Sequence, residues 1–592
     1  MKLMKALHLA AACGLSLTPV RAQSIDWAEF TRDDSRISAG NAVGLGDVQE
    51  KDYATGDFDR DGWIDLICVR KQPFTTTGRY RNVLFMNRGG VLTDETALHA
   101  VTTDIPGDNG FLTPTNDRDV AVGDFDGDGW LDFVTATTFS PGQPKAISHP
   151  RIYMNLGEVG GVWQGFVHQE ARIPDWGTYP NMCGVAVGDV TGDGFPDIYF
   201  SHYEQQAQVD LNDRLLINDG TGFFTDESSA RMTPEMRGSS FGTSAVIDDM
   251  NGDGVQDVIS VSGSGQTGGL TRSSIAYNNP NNEGFFSTLQ EPYSGAPYHT
   301  ATGDLNADGR QDMILSDDQE DRYLLNEGND VFGRVDWGPA RVFNTDDGFG
   351  SNNYIIDLNG DDFAEAIICD VDVDLGGCDR RLHIYHNRGG TVGGVVSLVE
   401  ERSGSTFGAQ GLPALRGTHD VAIFDIDNDG DRDMVVGRCS GTRVYLNERN
   451  ALGVDYCEAA ANSTGQSARL RVEGSPFAAN NDVTLRADRL PPGQFGIFLV
   501  SPDRGFVANP GNSSGNLCLG APLGRFLSPG QVVAASAAGE FSISIDLTAL
   551  PIGSTPVMAD AGDTFSFTAW YRDNFIGIPT SNFTSATSVT FR

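Results

Sequence analysis

Asp57-Phe58-Asp59-Arg60-Asp61-Gly62-Trp63-Ile64-Asp65 decides how this chain is read. Acids stand at its first, third, fifth and ninth places and a glycine at its sixth, and the apolar run Leu66-Ile67-Cys68-Val69 follows at once. Short apolar runs bounded by turn residues are strand signals. The string returns as GDFDGDGWLDF, GDVTGDGFPDI, DDMNGDGVQDV, GDLNADGRQDM, IDLNGDDFAEA and FDIDNDGDRDM, with first acids at Asp124, Asp189, Asp249, Asp304, Asp357 and Asp425. From Asp57 to Asp425 the mean spacing is about 61 residues, long for a helical repeat and suited to one four-stranded propeller blade with generous loops.

Further strand signals surround each loop. A short apolar run such as Val120-Ala121-Val122 precedes it, and a third strand ends in Asn plus turn residues, as in NVLFMNRGG, RIYMNLGE and RLLINDGTG. A fourth, often aromatic, follows the first six: VLTDET, GFVHQEA, GFFTDES, GFFSTLQ, VFGRVDW and VVSLVEE. The seventh repeat lacks its fourth strand, and Ile25-Asp26-Trp27-Ala28-Glu29-Phe30-Thr31 is expected to supply it from the N-terminus. The expected fold is all-β: a seven-bladed propeller over residues 23–450, closed by that N-terminal strand, which removes open sheet edges.

With 80 Asp+Glu against 41 Lys+Arg, the formal charge is −39, which excludes a nucleic-acid binder. Lys2 and Lys5 precede the apolar run Ala6 to Leu17, and Val20-Arg21-Ala22 offers small residues for cleavage, so residues 1–22 read as an export signal. Lipoprotein processing at Cys13 is the alternative. Loss of Lys2, Lys5 and Arg21 takes the charge from −39 to −42. No later apolar run reaches the roughly 18 to 20 residues of a membrane helix. The expected location is secreted, cell-surface or periplasmic in a bacterium. Export permits disulfides, expected as Cys457–Cys518 and Cys369–Cys378, while Cys68, Cys183 and Cys439 lie in or beside strand patterns as buried free thiols.

The acids in the first loop would repel by about 3 to 4 kcal/mol per close pair at an effective dielectric near 20. Seven such loops are better explained by a cation, and hard oxygen donors in this number suit Ca²⁺. In that reading the seventh place offers its carbonyl and the ninth carboxylate closes the shell. Position twelve is Cys68, Thr135, Phe200 or Ser260 inside strand-like sequence, so these are not EF-hands, and the nine-residue repeat of calcium-binding β-rolls is absent.

Acid spacing, glycine, following strand and later Asn-Gly turn together resemble the FG-GAP/VCBS repeats of integrin-α-like β-propellers over about residues 24–447. The resemblance implies structural calcium, up to seven ions. Its ligands would be Asp57, Asp59, Asp61, Asp65; Asp124, Asp126, Asp128, Asp132; Asp189, Thr191, Asp193, Asp197; and Asp249, Asn251, Asp253, Asp257. The later loops would supply Asp304, Asn306, Asp308, Asp312; Asp357, Asn359, Asp361, Glu365; and Asp425, Asp427, Asp429, Asp433. The sixth loop departs from the pattern, with Asp362 for glycine and Glu365 for the last Asp, and the third places the weaker Thr191 third.

From about residue 455 the text changes to LRVEGS, DVTLRADRLP, FGIFLVSPD, FSISIDLTALP and DTFSFTAWYRD, read as a β-sandwich over 455–592. It is similar to a C-terminal module, of no known activity, in large secreted proteins of environmental bacteria. Trp570 and Tyr571 are core aromatics or a sugar-stacking platform. Gly511-Asn512-Ser513-Ser514-Gly515 matches GxSxG but lacks the strand-to-helix context of a nucleophile elbow. His299 and His419, beside Tyr298 and Asp420, precede calcium loops and could meet at one end of a propeller channel. The reading favours recognition or adhesion toward an extracellular protein or polysaccharide over catalysis. The alternative is a carbohydrate-active lyase or hydrolase with a site at the channel mouth.

Overall fold

The computed structural model describes residues 27–591 except 29, 76, 178–179, 204–211, 240, 264–270, 318–319, 345–347, 349, 362, 371–376, 390–395, 404, 410, 429, 448–451, 458, 476, 537–538, 554 and 576–577. The export signal, Cys13, Asp362 and Asp429 lie outside the described residues.

Each acidic loop joins two antiparallel strands. Glu50–Gly56 runs into the first loop and Asp65–Lys71 leaves it, pairing Gly56 with Asp65 across the turn. Because Asp65–Lys71 is buried along its whole length, the strand reads as a continuous apolar run rather than an alternation. A third strand, Val83–Asn87, and a fourth, Leu92–Asp94, follow, and Ile37–Ser38 adds a parallel edge strand beside Leu92–Asp94. Among the described residues, seven sheets of four or five strands follow this plan along the chain. Phe30–Arg32 is the outer strand of the seventh, pairing Phe30 with Asn447 and Arg32 with Tyr445. In the fifth repeat the expected fourth strand is displaced. Val335–Trp337 folds back on Asn326–Asn329 as a separate hairpin, and Arg341–Val342 takes the sheet edge beside Arg322–Leu324.

No sheet closes on itself through main-chain pairing among the described residues. Side chains join the sheets instead. Ile67, Val69, Leu84 and Met86 of the first pack with Val120, Phe133, Tyr153 and Phe166 of the second. Equivalent clusters join second to third, third to fourth, fourth to fifth, fifth to sixth and sixth to seventh. Another joins Val435 and Val444 of the seventh to Leu66, Cys68, Val83 and Phe85 of the first.

Beyond residue 452 a seven-stranded sheet and a three-stranded one share a core. Leu470, Val472, Leu485 and Ile543 of the smaller meet Phe498, Val500, Phe567 and Tyr571 of the larger.

Cys457 and Cys518 are disulfide-bonded. Cys378 bonds Cys439, with Cα atoms 6.4 Å apart, not Cys369. The strand Glu365–Asp370 aims the Cys369 side chain into the apolar cluster between the sixth and seventh sheets, away from Cys378. The expectation for Cys439 is corrected in the same stroke, while Cys68, Cys183 and Cys369 are buried cysteines outside any disulfide.

Candidate metal centres

The acidic loops share one hydrogen-bond plan. The first acid accepts from the glycine N–H at place six: Gly62 to Asp57 at 3.0 Å, Gly129 to Asp124 at 2.8 Å, Gly194 to Asp189 at 2.8 Å, Gly254 to Asp249 at 2.9 Å, Gly309 to Asp304 at 2.7 Å and Gly430 to Asp425 at 2.9 Å. The fifth acid accepts from the N–H at place seven, as Trp63 to Asp61 at 2.9 Å and Phe363 to Asp361 at 2.9 Å. Two places are left-handed, not one. The fourth residue has φ +58° at Arg60, +56° at Ala307 and +61° at Asn428, and the sixth has +87° at Gly62. These turns fold the first, third and fifth side chains toward one point.

The ninth acid also ties the loop to the strands around it. Asp65 accepts Phe58 N–H at 3.1 Å and Asn87 N–H at 2.7 Å, so each of its oxygens already holds a backbone donor. Asp132, Asp197, Asp257, Asp312 and Asp433 repeat this latch, and Glu365 does so with its longer side chain on Leu358 and Asn387. Burial pushes the carboxyls of Asp65 and Asp132 up to about 8 and those of Asp197 and Asp312 up to about 7, against the pull of the backbone donors. A nearby divalent cation favours the ionised form.

Acidic oxygens converge within 4.8 Å in three described groups: Asp57 with Asp59 and Asp61; Asp124 with Asp126 and Asp132; and Asp425 with Asp427 and Asp433. Loops three to six carry Thr191, Asn251, Asn306 and Asn359 at the third place. Asp128 donates its N–H to Asp126, and Asp193 and Asp308 accept from the seventh places of their own loops. Cations already lean on some outer oxygens: Arg88 on Asp59 at 2.6 Å and Asp61 at 3.2 Å, Arg36 on Asp427 at 3.2 Å, and Arg310 on Asp308. The first loop keeps an inner donor in reserve, for Asp57 Oδ1 is buried without a hydrogen-bond partner. A carboxylate oxygen in that state is costly unless a cation meets it, so the donor set fits a hard divalent ion.

The asparagine that ends each third strand carries a role its sequence position only marked. Asn155 Nδ2 donates at 2.9 Å to the carbonyl of Phe58, in the preceding repeat's loop. The same bond runs from Asn218 to Phe125, Asn278 to Val190, Asn326 to Met250, Asn387 to Leu305 and Asn447 to Leu358. Asn87 makes it to Ile426, linking the first repeat to the seventh.

First strands from five repeats, with Thr243 just before the fourth repeat's, meet at a cavity of about 20 Å³ lined by Glu50, Lys51, Asp52, Arg118, Cys183, Thr243, His299, Ser351 and Asn352. Glu50 pairs with Lys71 at 2.6 Å and Arg118 at 3.2 Å, and Asp52 accepts from the Asn352 amide at 2.8 Å. Asp420, on the seventh, accepts from Tyr53 N–H and Tyr354 OH. Burial lowers the His299 imidazole to about 3, and Arg118 lowers it further in the same direction; His419 falls well below its usual range through burial, then Lys51 and Lys71. Among the described residues no carboxylate is hydrogen-bonded or ion-paired to either histidine, so the His/Tyr/acid arrangement is not assembled from them. Ser513 donates its hydroxyl to Gly515 O at 2.7 Å, which leaves GxSxG a turn.

No curated protein matches the sequence. Among solved structures, a lectin from Agrocybe aegerita recognising non-reducing terminal N-acetylglucosamine overlaps 64% of this chain and 90% of its own at 15% identity and a TM-score of 0.39. The rhamnogalacturonan lyase PL11 of Bacillus licheniformis overlaps 67% of this chain and 72% of its own at 15% identity and 0.33. The Tc holotoxin pore of Photorhabdus luminescens overlaps 74% of this chain and 21% of its own at 12% identity and 0.29. TM-scores this low carry no argument about what this chain does. A family model described as FG-GAP-like repeat matches residues 57–135 and 249–315, each stretch starting on the first acid of a loop and containing the next. These stretches of the chain are FG-GAP-like repeats.

Proposed function

We propose that residues 23–450, exported after removal of 1–22, form a seven-bladed propeller whose loops hold up to seven structural Ca²⁺, and that 455–592 form a β-sandwich. The whole serves as an extracellular recognition or adhesion module for a protein or polysaccharide. The observation that carries this reading is the asparagine tether, which recurs seven times and returns from the first repeat to the seventh. A ring built this way presents its loops on one rim as a rigid surface, which suits binding.

Two features favour recognition over chemistry. A cavity of about 20 Å³ where the first strands meet has room for about one water, not a sugar. The loop rim, by contrast, carries aromatic rings stacked on arginines: Trp130 under Arg60 at 4.3 Å, Phe223 under Arg172 at 4.5 Å and Phe285 under Arg231 at 4.7 Å. Phe223 and Phe285 are 41% and 38% exposed. Such rings stack on sugar faces or anchor a protein partner. The test is binding of the secreted protein to arrayed polysaccharides and extracellular proteins in millimolar Ca²⁺, repeated with Phe223→Ala/Phe285→Ala. Retention that falls at least tenfold in the double variant, with melting unchanged, supports the reading; a ligand bound equally by the variant, or cleaved by the wild type, contradicts it.

A further inference from the structure

Strands Phe495–Ser501 and Thr564–Phe575 pair antiparallel, with Ile497 opposite Trp570. Their alternation sends Phe498, Val500, Phe567, Ala569 and Tyr571 into the core. The opposite face of such a sheet ordinarily meets water with polar side chains. Here it carries Ile497, Leu499, Trp570 and Phe583, packed with Leu517 and Leu523. So Trp570 and Tyr571, neighbours in sequence, part company: Tyr571 is core, and Trp570 lines an open pocket of about 400 Å³. That volume lies in the range that holds small organic ligands.

Arg525 is the one charged residue among those lining the pocket. It is exposed and makes no ion pair or hydrogen bond with another described residue, and the Trp570 indole N–H has no acceptor among them either. Both unspent donors border walls of aliphatic carbon. A sugar would set its hydroxyls against Ile497, Leu499 and Phe583 with nothing to bond them. We propose that this pocket binds a small molecule with an apolar body and a carboxylate, the body between Trp570 and Leu499 and the carboxylate toward Arg525.

Octanoate is the probe, titrated calorimetrically into the full secreted protein, with 1-octanol as the uncharged comparison. The expected result is one octanoate per chain, bound more tightly than octanol. Arg525→Gln should weaken octanoate roughly two- to fivefold while leaving octanol unchanged, the scale of an exposed charge-assisted contact. Leu523→Trp, which fills the pocket, should abolish both. Melting curves matching the wild type establish that each variant folds. Octanoate bound no better than octanol, equal octanoate affinity in Arg525→Gln, or binding that survives Leu523→Trp would each overturn the assignment.

Discussion

Asn218 is 4% exposed and uses its whole side-chain amide. It donates to Phe125 O at 2.8 Å and Pro196 O at 3.0 Å, and accepts from Gly220 N–H at 3.0 Å and Gly222 N–H at 3.1 Å. Asn218→Ala leaves all four groups without that partner. The Phe125 carbonyl and Gly222 N–H are buried, and each orphaned buried group costs about 1–3 kcal/mol; the other two are half-buried and reach water in part. The expected loss is therefore about 3–5 kcal/mol. Asn218→Asp keeps the shape and both acceptor bonds but turns an oxygen toward two carbonyl oxygens, and should cost about half as much or more at neutral pH. Urea unfolding in millimolar Ca²⁺ measures both, read as a lower midpoint at unchanged slope. Asn281→Ala, on an exposed turn residue, should move the midpoint by less than about 0.5 kcal/mol. If Asn218→Ala costs no more than Asn281→Ala, the tether does not hold the sheets together and the reasoning fails.

Other outcomes follow from the same structure. Burial raises the Asp119 carboxyl to about 7 and that of Asp420 to about 6, above the ordinary value near 4 in the unfolded chain. The folded state then holds protons the unfolded state has released, so their contribution is full below about pH 4 and lost as pH rises through 6 to 7. Asp119→Asn should flatten that decline in a series of melts from pH 4.5 to 8. His149, lowered by burial to about 4, acts oppositely, its contribution fading as pH falls below about 6.5, and His149→Gln should remove that acid-side loss. Peptide mapping without reduction should recover Cys378 linked to Cys439 and Cys457 linked to Cys518, with Cys369 as free thiol; a Cys369–Cys378 peptide would contradict the packing of the sixth sheet. Asp124→Ala should remove one calcium ion from the total, because Asp124, Asp126 and Asp132 form one oxygen cluster.

The repeat was legible because each loop states its strand order locally: acids, a glycine, then an apolar run such as Leu66 to Val69 that could only be a buried strand. The asparagines were visible as strand ends, but a bond from Asn155 to Phe58 spans 97 positions and no local pattern announces it. The backbone latch of the ninth acid was hidden for a related reason. Spacing places Asp65 at the loop, but its bond from Asn87 N–H depends on where the third strand returns. Cys369 and Cys378 are close in sequence, and only the burial of Glu365–Asp370 turns Cys369 away. In the fifth repeat the aromatic run at Val335–Trp337 looked like its counterparts, but the preceding turn lets it pair with Asn326–Asn329 first. Trp570 and Tyr571 were ambiguous together because strand alternation assigns neighbours to opposite faces.

The most direct test of the account is the calcium content of the purified protein, paired with its melting temperature in calcium and in chelator. Binding to native loops but not to the unfolded chain must raise stability. The account predicts roughly six or seven Ca²⁺ per chain, one per acidic loop, and a large fall in melting temperature on chelation. One ion or none, with melting unchanged, would contradict it.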